Sequence, residues 1–191
     1  MQLVKRRPIT LPVFKSGKWY DDFAVTGASD SRYILLYGAK DKLSDGIRLR
    51  ATAAKSSVLY LPLRYKVSNF EAEVICKRIA GAEILPLVFR YTDATNFWYI
   101  WSNNTTEIKL VKIVAGVYTT VGTISGYNLS DSNRLGVRAV GSNIEVFVNG
   151  VRILNIVDSD NIAGNRFDLE VYDATIGVAQ GDWQYVAIKP L

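Results

Sequence analysis

The densest aromatic stretch of the chain is Phe97-Trp98-Tyr99-Ile100-Trp101, and it is followed by Ser102, Asn103 and Asn104. Aromatic rings stack on sugar faces and amides hold the hydroxyl groups, so these residue types suit carbohydrate binding. Alternate residues of a strand face opposite sides, so one aromatic set must belong to the core. If that set is Trp98 and Ile100, the accessible face carries four candidate carbohydrate-binding residues: Tyr99, Trp101, Asn103 and, from the neighbouring strand, Tyr91. The alternative is that both sets are buried between the sheets and a covering loop.

Two pairs of carboxylates also share a strand face by alternation, Asp168 with Glu170 and Glu71 with Glu73. Carboxyl groups about 5 to 9 Å apart serve glycoside hydrolysis as acid and as nucleophile or base. We favour the simpler interpretation that both pairs are solvated on an outer face while their apolar neighbours fill the core. The arginines that alternate with apolar residues are expected to be solvated in the same way: Arg48, Arg50, Arg90 and Arg138.

The elements that position these residues are predicted to be strands. Short runs of period-two alternation recur along the chain, separated by Gly, Asn, Asp and Ser, and helical periodicity is almost absent. In one run Phe70, Ala72, Val74 and Cys76 share a face, which makes Cys76 a small buried hydrophobe. About a dozen such strands are too many for one open sheet. The predicted fold class is all-β, a two-sheet antiparallel β-sandwich.

Particular residues refine this prediction. Asn149-Gly150 joins two apolar runs and tolerates the positive φ angles of a type I′ turn, so it predicts a hairpin. Pro62 and Pro86 fall inside strand-like runs and are expected at edges or bulges, because proline donates no hydrogen bond to a ladder. Trp19 and Trp183 are interpreted as core residues where the first and last strands pair.

Composition limits the function classes. The chain has 191 residues, 49% of them hydrophobic and 21% charged, which is typical of an ordered globular protein with a substantial core. The absence of histidine and the presence of one cysteine exclude Ser-His-Asp and Cys-His catalysis, the usual zinc sites and an internal disulfide. The net charge of +5 comes from scattered basic residues, which is not the pattern of nucleic-acid binding. No secretion signal or membrane-spanning run is visible, so we expect no membrane insertion.

Residues 1–18 are predicted to form an extended docking arm. Lys5, Arg6 and Arg7 precede Pro8, and Pro12 lies farther along, so both prolines disfavour a helix. Such a segment can add to the sheet edge of a partner through the side chains of Ile9, Leu11 and Val13, while the cations meet an acidic rim. The alternative is an arm that folds back on its own domain.

From Asp21 onward the order of motifs resembles the concanavalin A-like lectin/glucanase jelly rolls, which include laminin-G-like domains. The resemblance covers most of residues 19–188 and rests on these segments in order: Asp21-Asp22-Phe23, Phe70–Val74, Leu87–Tyr99, Ile108–Leu110, Asn133–Val137 and Gly141–Gly150. It implies a jelly-roll domain over residues 19–191. This fold hosts lectins, glycosidases, adhesion modules and virion proteins, so it leaves the function open.

The resemblance also bears on catalysis and metal binding. The glucanases of this superfamily carry a Glu-x-Asp-x-x-Glu-like strand, and the nearest stretch, Asp168–Asp173, departs from it at each acidic position. Hydrolase activity is therefore not expected. Some members bind calcium near both termini, which makes Asp21, Asp22 and Asp182 candidate ligands if the first and last strands pair. A salt bridge or turn cap is the better interpretation of each aspartate, and no other cofactor is expected.

These observations favour a non-enzymatic structural or adhesion protein that is attached through its arm to a larger assembly. The expected location is a tailed-phage virion or tail, and a cell-surface glycan is the expected second partner. The alternatives are a glycoside hydrolase that uses Asp168 and Glu170, and a free-standing carbohydrate-binding module. A cytoplasmic or extracellular location is the alternative to the virion.

Overall fold

The structure is a computed structural model that describes residues 19–21, 34–52, 56–61, 67–80, 83–103, 106–127, 132–172 and 179–191. Fifteen strands lie in these ranges and form two antiparallel sheets. The described ranges contain no helix that is long and apolar enough to cross a membrane. The predicted two-sheet antiparallel β-sandwich is confirmed, whereas the predicted arm, residues 1–18, lies outside the described residues.

The strands are numbered in chain order, and the chain crosses several times between the two sheets. The eight-stranded sheet contains, side by side, β13 (Val151–Val157), β12 (Asn143–Val148), β11 (Asn133–Val140), β6 (Phe70–Ala80), β15 (Gln180–Pro190), β4 (Ile47–Arg50) and β3 (Ala39–Lys42), with β1 (Trp19–Asp21) also paired to β15. The seven-stranded sheet contains, side by side, β10 (Val117–Ser125), β9 (Glu107–Val114), β8 (Asn96–Asn103), β7 (Glu83–Asp93), β14 (Arg166–Tyr172), β5 (Ser56–Leu61) and β2 (Ile34–Tyr37).

The core lies between the sheets and follows the alternation of the sequence. In β6 the predicted face is buried, and Cys76 is 1% exposed among apolar neighbours. The ring of Phe70 in β6 packs edge-to-face on Phe167 of the other sheet, with centroids 4.7 Å apart, and lies 5.8 Å from Phe89. Edge-to-face pairs add about 0.5–1.5 kcal/mol to the burial of the rings, so these contacts help to fix the two sheets against each other.

The predicted turn and bulge are also present. Asn149 and Gly150 have φ angles of 51° and 83°, which is the type I′ geometry expected between β12 and β13. Pro86 lies at a register shift of β7, and its carbonyl accepts a hydrogen bond from the indole of the buried Trp183 at 3.0 Å. The first and last strands pair as predicted, with Trp19 opposite Ile188 in backbone register. Pro62 lies outside the described residues.

The prediction that Arg90 is a solvated face charge is wrong. The residue has a φ of 48° at a register shift of β7, and its side chain is fully buried. The irregular backbone breaks the alternation and turns the guanidinium inward, where Nη2 donates to the carbonyl of Gly141 at 2.6 Å. The backbone of Gly164 also packs closely against the backbone of Arg90. A Cβ on Gly164 would lie 2.0 Å from the carbonyl oxygen of Arg90.

The loop between β13 and β14 is held onto the seven-stranded sheet by ion pairs. The ammonium of Lys112 in β9 lies 2.5 Å from a carboxylate oxygen of Asp158 and 2.6 Å from one of Asp160. The indole of Trp98 donates to the carbonyl of Asp160 at 2.9 Å. The loop thus fixes where β14, which carries Arg166 and Asp168, enters the sheet.

Candidate functional site

The candidate site is the outer face of the seven-stranded sheet. On β14, Phe167 and Leu169 point into the core, so Asp168 between them points outward. Asp168 lies opposite Tyr60 of β5 and Val88 of β7, and Val88 lies opposite Tyr99 of β8. Antiparallel register thus lines up outward-facing residues from four strands, of which β5 and β14 are far in the sequence from the hairpin of β7 and β8.

Six aromatic side chains from four strands share this outer face. They are called the aromatic face below and are Tyr60, Tyr91, Phe97, Tyr99, Trp101 and Tyr118. The rings of Tyr91 and Phe97 stack with centroids 5.3 Å apart and an interplanar angle of 28°, and Phe97 lies 5.6 Å from Tyr99. The ring of Tyr118 meets Tyr99 edge-on at 6.3 Å. Four of the rings therefore form one continuous aromatic path.

The structure places three of the four predicted binding residues, Tyr91, Tyr99 and Trp101, on this face together, while Trp98 and Ile100 occupy the core. Their exposure differs. Tyr99 is only 5% exposed and supports its neighbours, whereas Tyr91 and Trp101 are half-buried. The fourth residue, Asn103, ends β8 opposite Glu83 in backbone register, and its side chain is not among those described.

An ion pair lies at one side of the aromatic face. Nε of Arg166 donates to Oδ1 of Asp168 at 2.9 Å. The same guanidinium lies over two rings, 4.3 Å from the centroid of Tyr91 and 4.8 Å from that of Tyr60. Cations favour this position because the ring faces are electronegative. The cation is thus fixed by two aromatic rings, from the strands on either side of β14, and by a carboxylate of β14 itself.

The preferred interpretation of Asp168 as a solvated carboxylate is wrong, since the residue is 2% exposed. Burial raises the pKa of Asp168 to about 6, although Arg166 acts in the opposite direction. For Arg166, burial by itself would lower the pKa, but the hydrogen bond and charge of Asp168 raise it. Burial outweighs the effect of the partner at Asp168 but not at Arg166, because the carboxylate is covered far more completely than the guanidinium. Their side-chain exposures are 3% and 26%, respectively.

Glu170 is the next outward-facing residue of β14, so the predicted shared face of Asp168 and Glu170 is confirmed. Residues two apart on a strand are separated by about 7 Å, which suits a two-carboxylate mechanism. The following outward position is Tyr172, which is exposed. Asp173, the third acidic residue of the stretch Asp168–Asp173 that was compared with the glucanase strand, lies outside the described residues.

A second cation lies on the other side of the aromatic face. Nζ of Lys109 lies 4.6 Å from the ring centroid of Trp101 and 3.4 Å from a carboxylate oxygen of Glu107. Sequence reasoning did not single out Lys109, Tyr60 or Arg166. Alternation within each run could have placed all three on an outer face, but nothing local in the sequence shows that β5, β14 and β7 are neighbours.

The other predicted carboxylate pair lies on the opposite side of the sandwich. Glu71 contacts Arg138 at 3.4 Å and Lys189 at 3.5 Å, and Glu73 contacts Arg134 at 3.7 Å. Both carboxylates are partly exposed, as expected for outer-face ion pairs, and they border a depression of about 280 Å³ in the eight-stranded sheet.

Of the candidate calcium ligands, Asp182 is engaged by Arg48, whose Nε and Nη2 donate to its two oxygens at 2.6 and 2.9 Å. Asp21 lies in β1 with an undescribed side chain, and Asp22 lies outside the described residues. Among the residues that the structure describes, no group of three or more acidic or cysteine side chains is arranged to hold a metal ion.

No protein-family model matches the sequence, and no curated protein is similar to it. Solved structures are similar in fold. The carbohydrate-binding module CBM66 from Bacillus subtilis is 18% identical with a TM-score of 0.69, and the match covers 83% of this chain and 95% of the module. A β-glucanase of Bacillus licheniformis is 12% identical with a TM-score of 0.69, over 93% of this chain and all of the enzyme.

A non-specific endo-β-1,3(4)-glucanase of family GH16, SCLam, is 11% identical with a TM-score of 0.69, over 95% of this chain and 93% of the enzyme. These neighbours include a binding module as well as enzymes, and at such identities the likeness bears on the fold only. It agrees with the arrangement of the two sheets: the chain has the concanavalin A-like jelly-roll fold.

Proposed function

We propose that this protein binds a glycan, without cleaving it, on the outer face of its seven-stranded sheet. The observation that carries the proposal is the aromatic face, where the half-buried rings of Tyr91, Phe97 and Trp101 pack against one cluster that contains Tyr99. Aromatic side chains in a row on a sheet surface offer the kind of stacking surface that sugar-binding sites use. The fold likeness to a carbohydrate-binding module supports the same proposal.

The chemistry follows from the two kinds of side chain on this face. The rings offer flat apolar surfaces for the C–H faces of pyranose rings. Arg166 and Lys109, held at the two sides by ring contacts, are donors for hydroxyl or acidic groups of the sugar. The cations are positioned before a ligand arrives, which lowers the entropic cost of binding.

Affinity electrophoresis in gels that contain soluble polysaccharides tests the proposal, with a panel of neutral β-glucans, xylan and uronate polymers. Trp101→Ala should abolish the retardation of the full chain by whichever polymer it binds, since one stacking ring of this kind dominates such sites. Phe147→Ala is the matched control, because Phe147 is a half-buried ring on the outer face of the opposite sheet. Retardation by no polymer, or equal loss in both variants, contradicts the proposal.

A second candidate function is glycoside hydrolysis. It is favoured by one observation, the pKa of Asp168 raised to about 6 on the same strand face as Glu170. A raised pKa is the property of a general acid. Release of reducing sugar by the wild type that is lost in Glu170→Gln would establish it over simple binding.

Docking of residues 1–18 onto a larger assembly stays a prediction from the sequence. The arm lies outside the described residues, and none of the three structures named above is a virion protein. The proposed glycan face is compatible with a tailed-phage tail that contacts a cell surface and equally with a free-standing binding module.

A further inference from the structure

Arg166 has unused hydrogen-bonding capacity at the side of the aromatic face. A guanidinium carries five N–H donors. In the described structure Arg166 uses Nε, which donates to Asp168, and its two terminal amino groups make no hydrogen bond to a described residue. The side chain is 26% exposed, so part of it is open to a ligand.

The guanidinium is also held rigidly. Tyr60 and Tyr91 contact it through their rings, and the hydrogen bond to Asp168 fixes the Nε edge. Asp168 is itself buried, so the surrounding packing holds the carboxylate that accepts from Nε in place. A planar guanidinium in a fixed orientation suits two parallel hydrogen bonds to one carboxylate, which a lysine ammonium does not form.

The charges around Arg166 favour an anion at this position. Asp168 lies against Nε rather than the terminal amino groups, so its carboxylate does not occupy the edge that a ligand anion would use. Glu170 lies four residues along β14 from Arg166, about 13 Å at the rise of a strand. Glu107 is paired with Lys109 on β9, on the far side of β7 and β8. The Arg166 side is thus the more positive end of β14.

On the basis of the proposed function, we infer that the bound glycan is acidic. A uronate carboxylate pairs with the terminal amino groups of Arg166, while sugar rings lie on the adjoining aromatic face. The stacked rings of Tyr91 and Phe97 begin directly beside the guanidinium, so one glycan segment can reach both. Arg166 then determines specificity, and the rings supply affinity that is common to neutral and acidic sugars.

Isothermal titration calorimetry on the full chain at 0.15 M NaCl tests this inference. The probes are oligogalacturonates and alginate oligosaccharides, each compared with its carboxyl-reduced, neutral counterpart. The wild type should bind at least one acidic series about tenfold or more tighter than its neutral counterpart, since hydrogen bonds between charged groups are the strong ones. Equal affinity for acidic and neutral forms, or binding of no acidic probe, overturns the inference.

Variants separate a built site from general attraction to the net positive charge. Arg166→Gln and Arg166→Lys should both lose most of the preference for the acidic series. Arg134→Gln removes one positive charge from the opposite sheet and should leave the preference unchanged. If Arg134→Gln weakens acidic binding as much as Arg166→Gln, the attraction is nonspecific and the inference fails.

One further variant covers the case that Arg166→Gln destabilises the sandwich by leaving Asp168 unpaired. The double variant Arg166→Gln/Asp168→Asn removes both charges and keeps two side chains that can hydrogen-bond to each other. It should fold and show the same loss. If it retains the acidic preference, Arg166 does not hold the carboxylate. If neutral and acidic sugars bind equally well, the proposed glycan function stands and only this inference falls.

Discussion

The titration of Asp168 makes the stability of the sandwich depend on pH in an unusual direction. Most buried carboxylates are ionised and paired, and they stabilise a protein as the pH rises. Here burial raises the pKa of Asp168 to about 6, above its ordinary value of 3.8. The folded state therefore binds the proton more tightly than the unfolded state, so the free energy of unfolding should fall as the pH rises between these two values.

The size of the effect follows from the difference between the two pKa values. About 2 pKa units at 1.36 kcal/mol each correspond to about 3 kcal/mol. Well below pH 3.8 both states are protonated and there is no penalty. Above pH 6 the full penalty applies. For a chain of this length, 3 kcal/mol corresponds to a shift in Tm of about 6–12 °C.

Asp168→Asn isolates this contribution, because asparagine resembles the protonated carboxyl and can still accept from Arg166. The measurement is urea unfolding of both proteins from pH 4 to pH 8. The variant should match the wild type at pH 4 and exceed its free energy of unfolding by about 3 kcal/mol at pH 8.

Asp93→Asn is a control of opposite sign. The side-chain hydroxyl and backbone N–H of Thr95 donate to the exposed Asp93 and lower its pKa. The stabilisation that ionised Asp93 contributes is present above the unfolded pKa and is lost as the pH falls.

A difference in the free energy of unfolding between wild type and Asp168→Asn that stays within about 0.5 kcal/mol from pH 4 to pH 8 would refute the reasoning, since surface substitutions commonly fall within that margin.

Three further outcomes are expected. Lys112→Met should lower the free energy of unfolding, measured by urea titration, by about 2 kcal/mol, because it removes two short hydrogen bonds between charged groups. Lys189→Met removes an exposed ion pair at 3.5 Å and should lower it by less than about 0.5 kcal/mol in the same assay. Gly164→Ala should cost about 2–4 kcal/mol because its Cβ would meet backbone at 2.0 Å, whereas Gly136→Ala, whose nearest contact would be 3.4 Å, should cost less than about 1 kcal/mol. Deletion of residues 1–15 should change the Tm measured by circular dichroism by only a few degrees but abolish incorporation into an assembly, and unfolding of the truncated protein would make the arm an integral strand.

The fold could be predicted because its signals are local. Alternation in β6 assigns each side chain to a face, and Asn149-Gly150 specifies the turn that joins β12 and β13. The same reasoning failed at Arg90, where a bulge with a positive φ angle reverses the face. The sequence carries no glycine or proline at that position to indicate the irregularity, so strict alternation gave the wrong side.

About half of the candidate site could be predicted for a related reason. Tyr91, Tyr99 and Trp101 lie on β7 and β8, which are consecutive and form a hairpin, so alternation alone brings them together. Arg166 and Tyr60 reach the same face only because β14 inserts between β7 and β5. That order depends on how the two sheets fold around a common core, and single-run patterns do not contain it.

The burial of Asp168 also bears on the choice between binding and hydrolysis. A general acid must deliver its proton to the leaving-group oxygen of the substrate, within hydrogen-bond reach. Asp168 is 2% exposed and Arg166 holds one of its oxygens, so the exposed polar atoms of this pair belong to the guanidinium. A sugar that approaches this side of the face therefore meets a fixed cation before it meets a carboxyl group. Asp168 then acts through Arg166 by fixing its orientation, and recognition of the ligand, rather than proton transfer, is the chemistry that this arrangement supports best.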